Sequence, residues 1–110
     1  MNNKPDSTRL ENAGAGTRAV WAGEQVRHPY NATQTPIVVS AAYGYDDIDV
    51  WYDVALGKAP GFIYSRMSNP TVETLEAKIR ELENAESAVA FSSGMAAISS
   101  VLYKIGRAHV

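Results

Sequence analysis

The clearest hydrophobic pattern lies in the second half of the chain. Asn69 is a natural cap, Pro70 suits a first helical position, and Val72, Leu75, Ile79 and Leu82 follow at helical spacing. This predicts a helix whose apolar stripe is core packing, with Glu73 and Glu76 in its N-terminal half and Glu76 one turn before Arg80. After Asn84, the run Ser87-Ala88-Val89-Ala90-Phe91 has the length of a buried strand, and Ser92-Ser93-Gly94 then leads into a helix over Met95 to Tyr103. Helix, strand, Gly-containing turn and helix make an α/β arrangement.

Residues 1–60 hold no sustained period of 3.6 or 2 and are punctuated by Gly14, Gly16, Gly23, Pro29, Pro36, Gly44, Gly57 and Pro60, with Gly61 next. They read as an extended arm, with one short helix over Thr17 to Ala22 and a brief strand or extended contact at Ile37, Val38 and Val39. Trp21, Tyr30, Tyr43, Tyr45, Trp51 and Tyr52 are many aromatics for such a segment, and aromatic side chains bury themselves where they can. The expectation is an arm that packs on something outside this stretch of chain.

Composition narrows the class. The 110 residues are 45% hydrophobic and 20% charged, which excludes a disordered polar tract. A net charge of −2 without a basic run speaks against nucleic acid as a partner. No window approaches the length of apolar residues that spans a bilayer, so no membrane role is expected. Absent cysteines exclude disulfides and thiolate chemistry within the segment, and His28 and His109 are too few for a metal cluster. The N-terminal stretch MNNKPDSTRLENAGAGTRAV has no signal-peptide core, which makes a cytoplasmic location the expectation.

Two constellations carry candidate chemistry. A strand running into Ser92-Ser93-Gly94 at a helix start presents free backbone N–H groups and partial positive charge, to which Ser92 and Ser93 add hydroxyls. An ordinary serine-rich N-cap has the same composition. In Tyr64-Ser65-Arg66-Met67-Ser68-Asn69-Pro70-Thr71, Tyr64 and Arg66 stand two apart in an expected extended segment, hence on one side. Arg66 offers a bidentate fork and Tyr64 a hydroxyl to a phosphate, as do surface pairs that face only water.

The Tyr-Ser-Arg segment with Asn69-Pro70-Thr71, followed after one helix by Ser92-Ser93-Gly94-Met95-Ala96-Ala97-Ile98, resembles the cystathionine γ-synthase and methionine γ-lyase family of pyridoxal 5'-phosphate enzymes. The resemblance is most specific over Gly61 to Val101, with weaker support from Gly16-Thr17-Arg18-Ala19 and Ala22-Gly23. It implies an N-terminal arm plus the first helix, strand and helix of a truncated fold type I (aminotransferase-like) large domain. It also implies an active site shared across a homodimer or homotetramer. Tyr64 and Arg66 from one subunit, with Ser93, Gly94 and Met95 from its neighbour, would grip the cofactor phosphate. The implied substrates are amino acids. The implied reaction is γ-replacement or γ-elimination in transsulfuration, of the cystathionine γ-synthase or homoserine-ester sulfhydrylase type, or alternatively of the methionine γ-lyase type. A rival from another class is a non-catalytic phosphate-binding or dimerisation module.

In that family the cofactor-bearing lysine, the acid facing the pyridine nitrogen and the ring-stacking aromatic lie farther along the chain. None of Lys4, Lys58, Lys78 and Lys104 has the Ser/Thr-rich context of that lysine, so no catalytic base or nucleophile is assigned here. On this reading residues 61–104 begin the cofactor-binding domain. Ile105 to Val110 depart from the pattern and resemble a translated sequencing-library adapter, to be left out of fold reasoning, unless Arg107 and His109 form a polar helix end.

Overall fold

The computed structural model describes residues 10–24 and 28–107. Four α-helices are present among them: α1 (Ala15–Trp21), α2 (Ile48–Ala55), α3 (Pro70–Leu82) and α4 (Gly94–Arg107), with a short 3-10 turn at Pro29–Asn31. The first helix falls within two residues of the expected Thr17 to Ala22, and α4 starts one residue before the expected Met95 and continues past Tyr103 through Ile105, Gly106 and Arg107. His109 and Lys4 lie outside the described residues.

Helix α3 begins as its sequence requires. The Asn69 Oδ1 accepts from the Thr71 amide at 2.9 Å, Pro70 occupies the first turn where an N–H would have no partner, and Glu73 faces the positive end of the helix dipole. It ends at Asn84, held at φ +50°, so that the Ala85 amide turns back to the Arg80 carbonyl at 3.0 Å. Helix α2 ends the same way: Gly57 at φ +70° returns the Lys58 amide to the Asp53 carbonyl at 2.8 Å.

The apolar stripe of α3 is not the side on which α1 packs. α1 and the Ala22-Gly23 pair pack on the opposite side of α3, where Gly23, at φ +76°, lies so near the helix that an added Cβ would sit 3.0 Å from the Thr74 carbonyl oxygen and 3.1 Å from the Ala77 Cβ. Val72, Leu75, Ile79 and Leu82 are left 42–51% exposed, so the expected core stripe is not buried within this segment. The buried apolar residues among those described are Leu10, Ala22 and Val54. The radius of gyration is 16.3 Å, against about 13 Å for a compact chain of this length.

The expected strand at Ser87 to Phe91 is not formed, and the α/β arrangement is not seen within the segment. Residues 85 and 87–91 take no regular structure, and the only β-bridge among the described residues joins Ala42 to Tyr64. The physical reason is that a strand is defined by a neighbour that takes its N–H and C=O groups. Here the Ala90 amide donates instead to the Glu76 carboxylate at 2.8 Å. Ile37 to Val39 likewise run without ladder partners, with the Val38 amide donating to the Thr71 Oγ1 at 2.9 Å.

Such a small core predicts the behaviour of the isolated 110-residue chain. As a monomer it should lose helical circular dichroism gradually on heating, without a calorimetric peak. A sharp cooperative transition would contradict this.

Candidate functional site

The segment that carries Tyr64 and Arg66 is a turn rather than the expected extended stretch. The Ser65 amide donates to the Ala41 carbonyl at 2.9 Å and the Tyr43 amide to the Ile63 carbonyl at 3.1 Å, which seats residues 63–65 against 41–43. The chain then folds back, with the Met67 and Ser68 amides donating to the Tyr64 carbonyl at 2.9 and 3.3 Å. The two side chains share one side even so, because the Arg66 guanidinium lies over the Tyr64 ring, 4.9 Å from its centre. Behind the turn, the Tyr43 and Phe62 rings pack 5.4 Å apart, and the Tyr45 hydroxyl donates to the Phe62 carbonyl and accepts from the Phe62 amide.

At the start of α4, Ser93 acts as the cap. Its Oγ accepts from the Ala96 amide and its carbonyl from the Ala97 amide, both at 3.2 Å. The hydroxyl proton of Ser93 remains available, as do the amides of Gly94 and Met95, which precede the first intrahelical bonds. The space where a Gly94 side chain would stand is open to 4 Å, so a ligand can approach the backbone there. Met95 contributes its amide; its side chain is exposed. No hydrogen bond or ion pair joins this helix start to the Tyr64–Arg66 turn among the described residues.

Both clusters offer donors and positive charge and no carboxylate. Arg66 has no acidic partner among the described residues, unlike Lys78, Arg80 and Lys58, which meet Glu24, Glu81 and Asp53. A donor-only set with an unpaired guanidinium fits a phosphate dianion. Lys78 supplies no nucleophile at either cluster, since it is spent on the Glu24 carboxylate at 3.2 Å and the Val20 carbonyl at 2.7 Å.

A different place, the seam between the arm and α3, holds a cavity of about 450 Å³ lined among others by His28, Thr35, Val38, Phe62, Glu73 and Arg80. None of Tyr64, Arg66, Ser93, Gly94 and Met95 lines it. An anion there would meet Glu73, whose carboxyl is held above its ordinary value by burial and then by the charge of Glu76.

Beside the cavity, Glu24 was not singled out by sequence reasoning, yet it ties the arm to α3. Its side chain is 8% exposed and its Oε2 accepts from the Thr35 amide at 2.6 Å and the Thr35 hydroxyl at 2.8 Å, with His28 Nε2 at 3.1 Å. The Thr35 hydroxyl also meets the Thr74 hydroxyl at 2.8 Å. Among the described residues there is no group of three or more His, Asp or Glu able to hold a metal ion, and no helix long and apolar enough to cross a membrane.

Residues 16–108 match the family of Cys/Met metabolism PLP-dependent enzymes. The chain belongs to this family. Its similarity extends to several members. It is 33% identical over 97 residues to an L-methionine gamma-lyase of Pseudomonas deceptionensis, covering 88% of this chain and 24% of that protein. It is 36% identical over 105 residues to an O-acetyl-L-homoserine sulfhydrylase of Corynebacterium glutamicum, covering 96% of this chain and 24% of that protein. It is 40% identical over 86 residues to a cystathionine gamma-synthase of Haemophilus influenzae, covering 78% of this chain and 21% of that protein. The chain thus spans about a quarter of the length of the curated relatives it matches.

Proposed function

We propose that this chain is a cofactor-phosphate-binding part of a pyridoxal 5'-phosphate-dependent enzyme of sulfur amino-acid metabolism. The proposed reaction is replacement or elimination at Cγ of an amino acid, of the cystathionine γ-synthase or homoserine-ester sulfhydrylase type. The observation that carries the reading is the pair of donor-only clusters, Tyr64 with Arg66 and Ser93 to Met95, in a chain of a PLP-dependent family. Bound pyridoxal phosphate supplies an electron sink for charge that develops beside the amino group of the substrate. Arg66 would offer its N–H fork to phosphate oxygens, with the Tyr64 ring beneath the guanidinium keeping its plane oriented and the phenol able to donate. The amides of Gly94 and Met95 and the Ser93 hydroxyl would hold the anion at the positive end of α4. No residue of this segment moves a substrate proton.

In this reading residues 1–60 are an arm that reaches a neighbouring subunit of a homodimer or homotetramer, and residues 61–104 open the fold type I α/β domain. The unburied stripe of α3 and the unpaired residues 87–91 support that division. A cytoplasmic location is proposed, in keeping with a family of Cys/Met metabolism enzymes.

Methionine γ-lyase chemistry is the second reading, favoured by the 33% identity to such a lyase, so the test carries both substrates. The full-length protein, purified with pyridoxal phosphate, is given O-acetyl-L-homoserine with a thiol, and separately methionine. Retained cofactor absorbance with a thioether product supports the synthase or sulfhydrylase reading, and thiol release from methionine supports the lyase. Cofactor retention with neither product would favour a non-catalytic binding module, and no retention would remove the cofactor role.

A further inference from the structure

We propose that Asn69 is the positioning residue of the phosphate grip, fixing the Tyr64–Arg66 turn to the start of α3; the inference rests on the reading that Arg66 binds the cofactor phosphate. Asn69 serves two structures at once. Its Oδ1 caps α3 through the Thr71 amide. Its Nδ2 donates to the Val38 carbonyl at 3.0 Å, the Tyr43 hydroxyl at 3.3 Å and the Ser65 Oγ at 3.3 Å. Two protons thus serve three acceptors, each on a different part of the wall around the turn.

Ser65 transmits the constraint, because it stands between the two gripping residues. Its amide is bound to Ala41, and its hydroxyl donates to the Ser40 carbonyl, so its oxygen accepts from Asn69. The Tyr43 hydroxyl closes the circuit at 3.5 Å from the Ser65 Oγ. Arg66 itself is exposed and makes no hydrogen bond among the described residues, so its direction depends on the backbone that carries it. Asn69 is the side chain that joins that backbone to a rigid helix.

The functions of the amide separate by substitution. Asn69→Asp keeps the capping acceptor, since Asp caps helices as well as Asn, but turns an oxygen toward three oxygens. Asn69→Ser also caps, and it withdraws the donor without adding charge. In the full-length protein both variants should weaken pyridoxal phosphate binding roughly tenfold, while the affinity for pyridoxal, which lacks the phosphate, stays at the wild-type value. In an Arg66→Ala background the same substitutions should then change phosphate-dependent affinity little, because the residue they position is gone. Equal loss for pyridoxal phosphate and pyridoxal, or an undiminished loss in the Arg66→Ala background, would show Asn69 to be a structural residue and overturn the inference. Wild-type affinity in both Asn69 variants beside weakened Arg66→Ala would overturn it as well and leave the phosphate grip standing. If Arg66→Ala alone fails to separate pyridoxal phosphate from pyridoxal, the grip and the inference fall together.

Discussion

Replacing Arg66 by Ala in the full-length protein is expected to raise the dissociation constant for pyridoxal phosphate roughly 10- to 150-fold. A hydrogen bond to a charged group contributes about 1.5–3 kcal/mol, and about 1.4 kcal/mol is a factor of ten in affinity. The upper part of the range applies if both N–H groups of the fork engage, because Arg66 has no carboxylate among the described residues to release before it binds. Arg66→Lys should fall between wild type and Ala: it keeps the charge but loses the fork and the flat face that stacks 4.9 Å above the Tyr64 ring. Tyr64→Phe keeps that ring and removes only a neutral donor, so its effect should be smaller, about 0.5–1.5 kcal/mol. Spectrophotometric titration of apoenzyme with cofactor measures all three, and an affinity in Arg66→Ala equal to wild type would end the proposed role.

What the sequence made legible was local. Helix α3 is announced by Asn69 and Pro70 and stopped at Asn84, all within a turn of the groups they satisfy. The start of α4 is announced by Ser93 and Gly94 for the same reason. Helix α2 escaped notice because eight residues give too short a window for a 3.6 period, and Trp51 and Tyr52 read as arm aromatics. Its signals were its ends, Asp47 whose Oδ1 accepts from the Asp49 amide at 2.8 Å and Gly57 at φ +70°. Residues 87–91 show the opposite failure. Their composition suits a strand, but strand formation is decided by partners that the segment does not contain. Tyr64 and Arg66 were legible as a motif, while the turn that brings them together depends on Ala41 and Tyr43, far back in the chain. Glu24 was invisible because an exposed-looking acid gains meaning only when folding sets Lys78 and Thr35 against it.

Glu24→Ala should accordingly be the most damaging substitution in the arm, costing about 3 kcal/mol in the urea-induced unfolding of the full-length protein. The loss leaves the Thr35 amide without its acceptor and the Lys78 ammonium without its counter-charge, while the Thr35 hydroxyl keeps Thr74 and Lys78 keeps the Val20 carbonyl. Water can reach Lys78, whose side chain is 23% exposed, and this keeps the cost below that of a fully enclosed ion pair. Glu24→Gln retains an acceptor for Thr35 and should lose about half as much. The pH dependence separates charge from shape. Burial alone would raise the Glu24 carboxyl, but hydrogen bonds from the Thr35 hydroxyl and Lys78, then the Thr35 amide and the Lys78 charge, hold it below the ordinary value of 4.5. A carboxyl with a lower value in the folded state stabilises fully above the unfolded value, and that contribution drains away as pH falls through the folded one. Glu73 has the opposite sign, since its raised value makes ionisation a cost that sets in as pH rises past 4.5, but it is common to both proteins and cancels in their difference. The stability gap between wild type and Glu24→Gln should therefore shrink once pH drops below 4.5. A gap that persists unchanged into acid would mean that the side chain acts by its shape, and that the charge of Lys78 contributes nothing to holding the arm on α3.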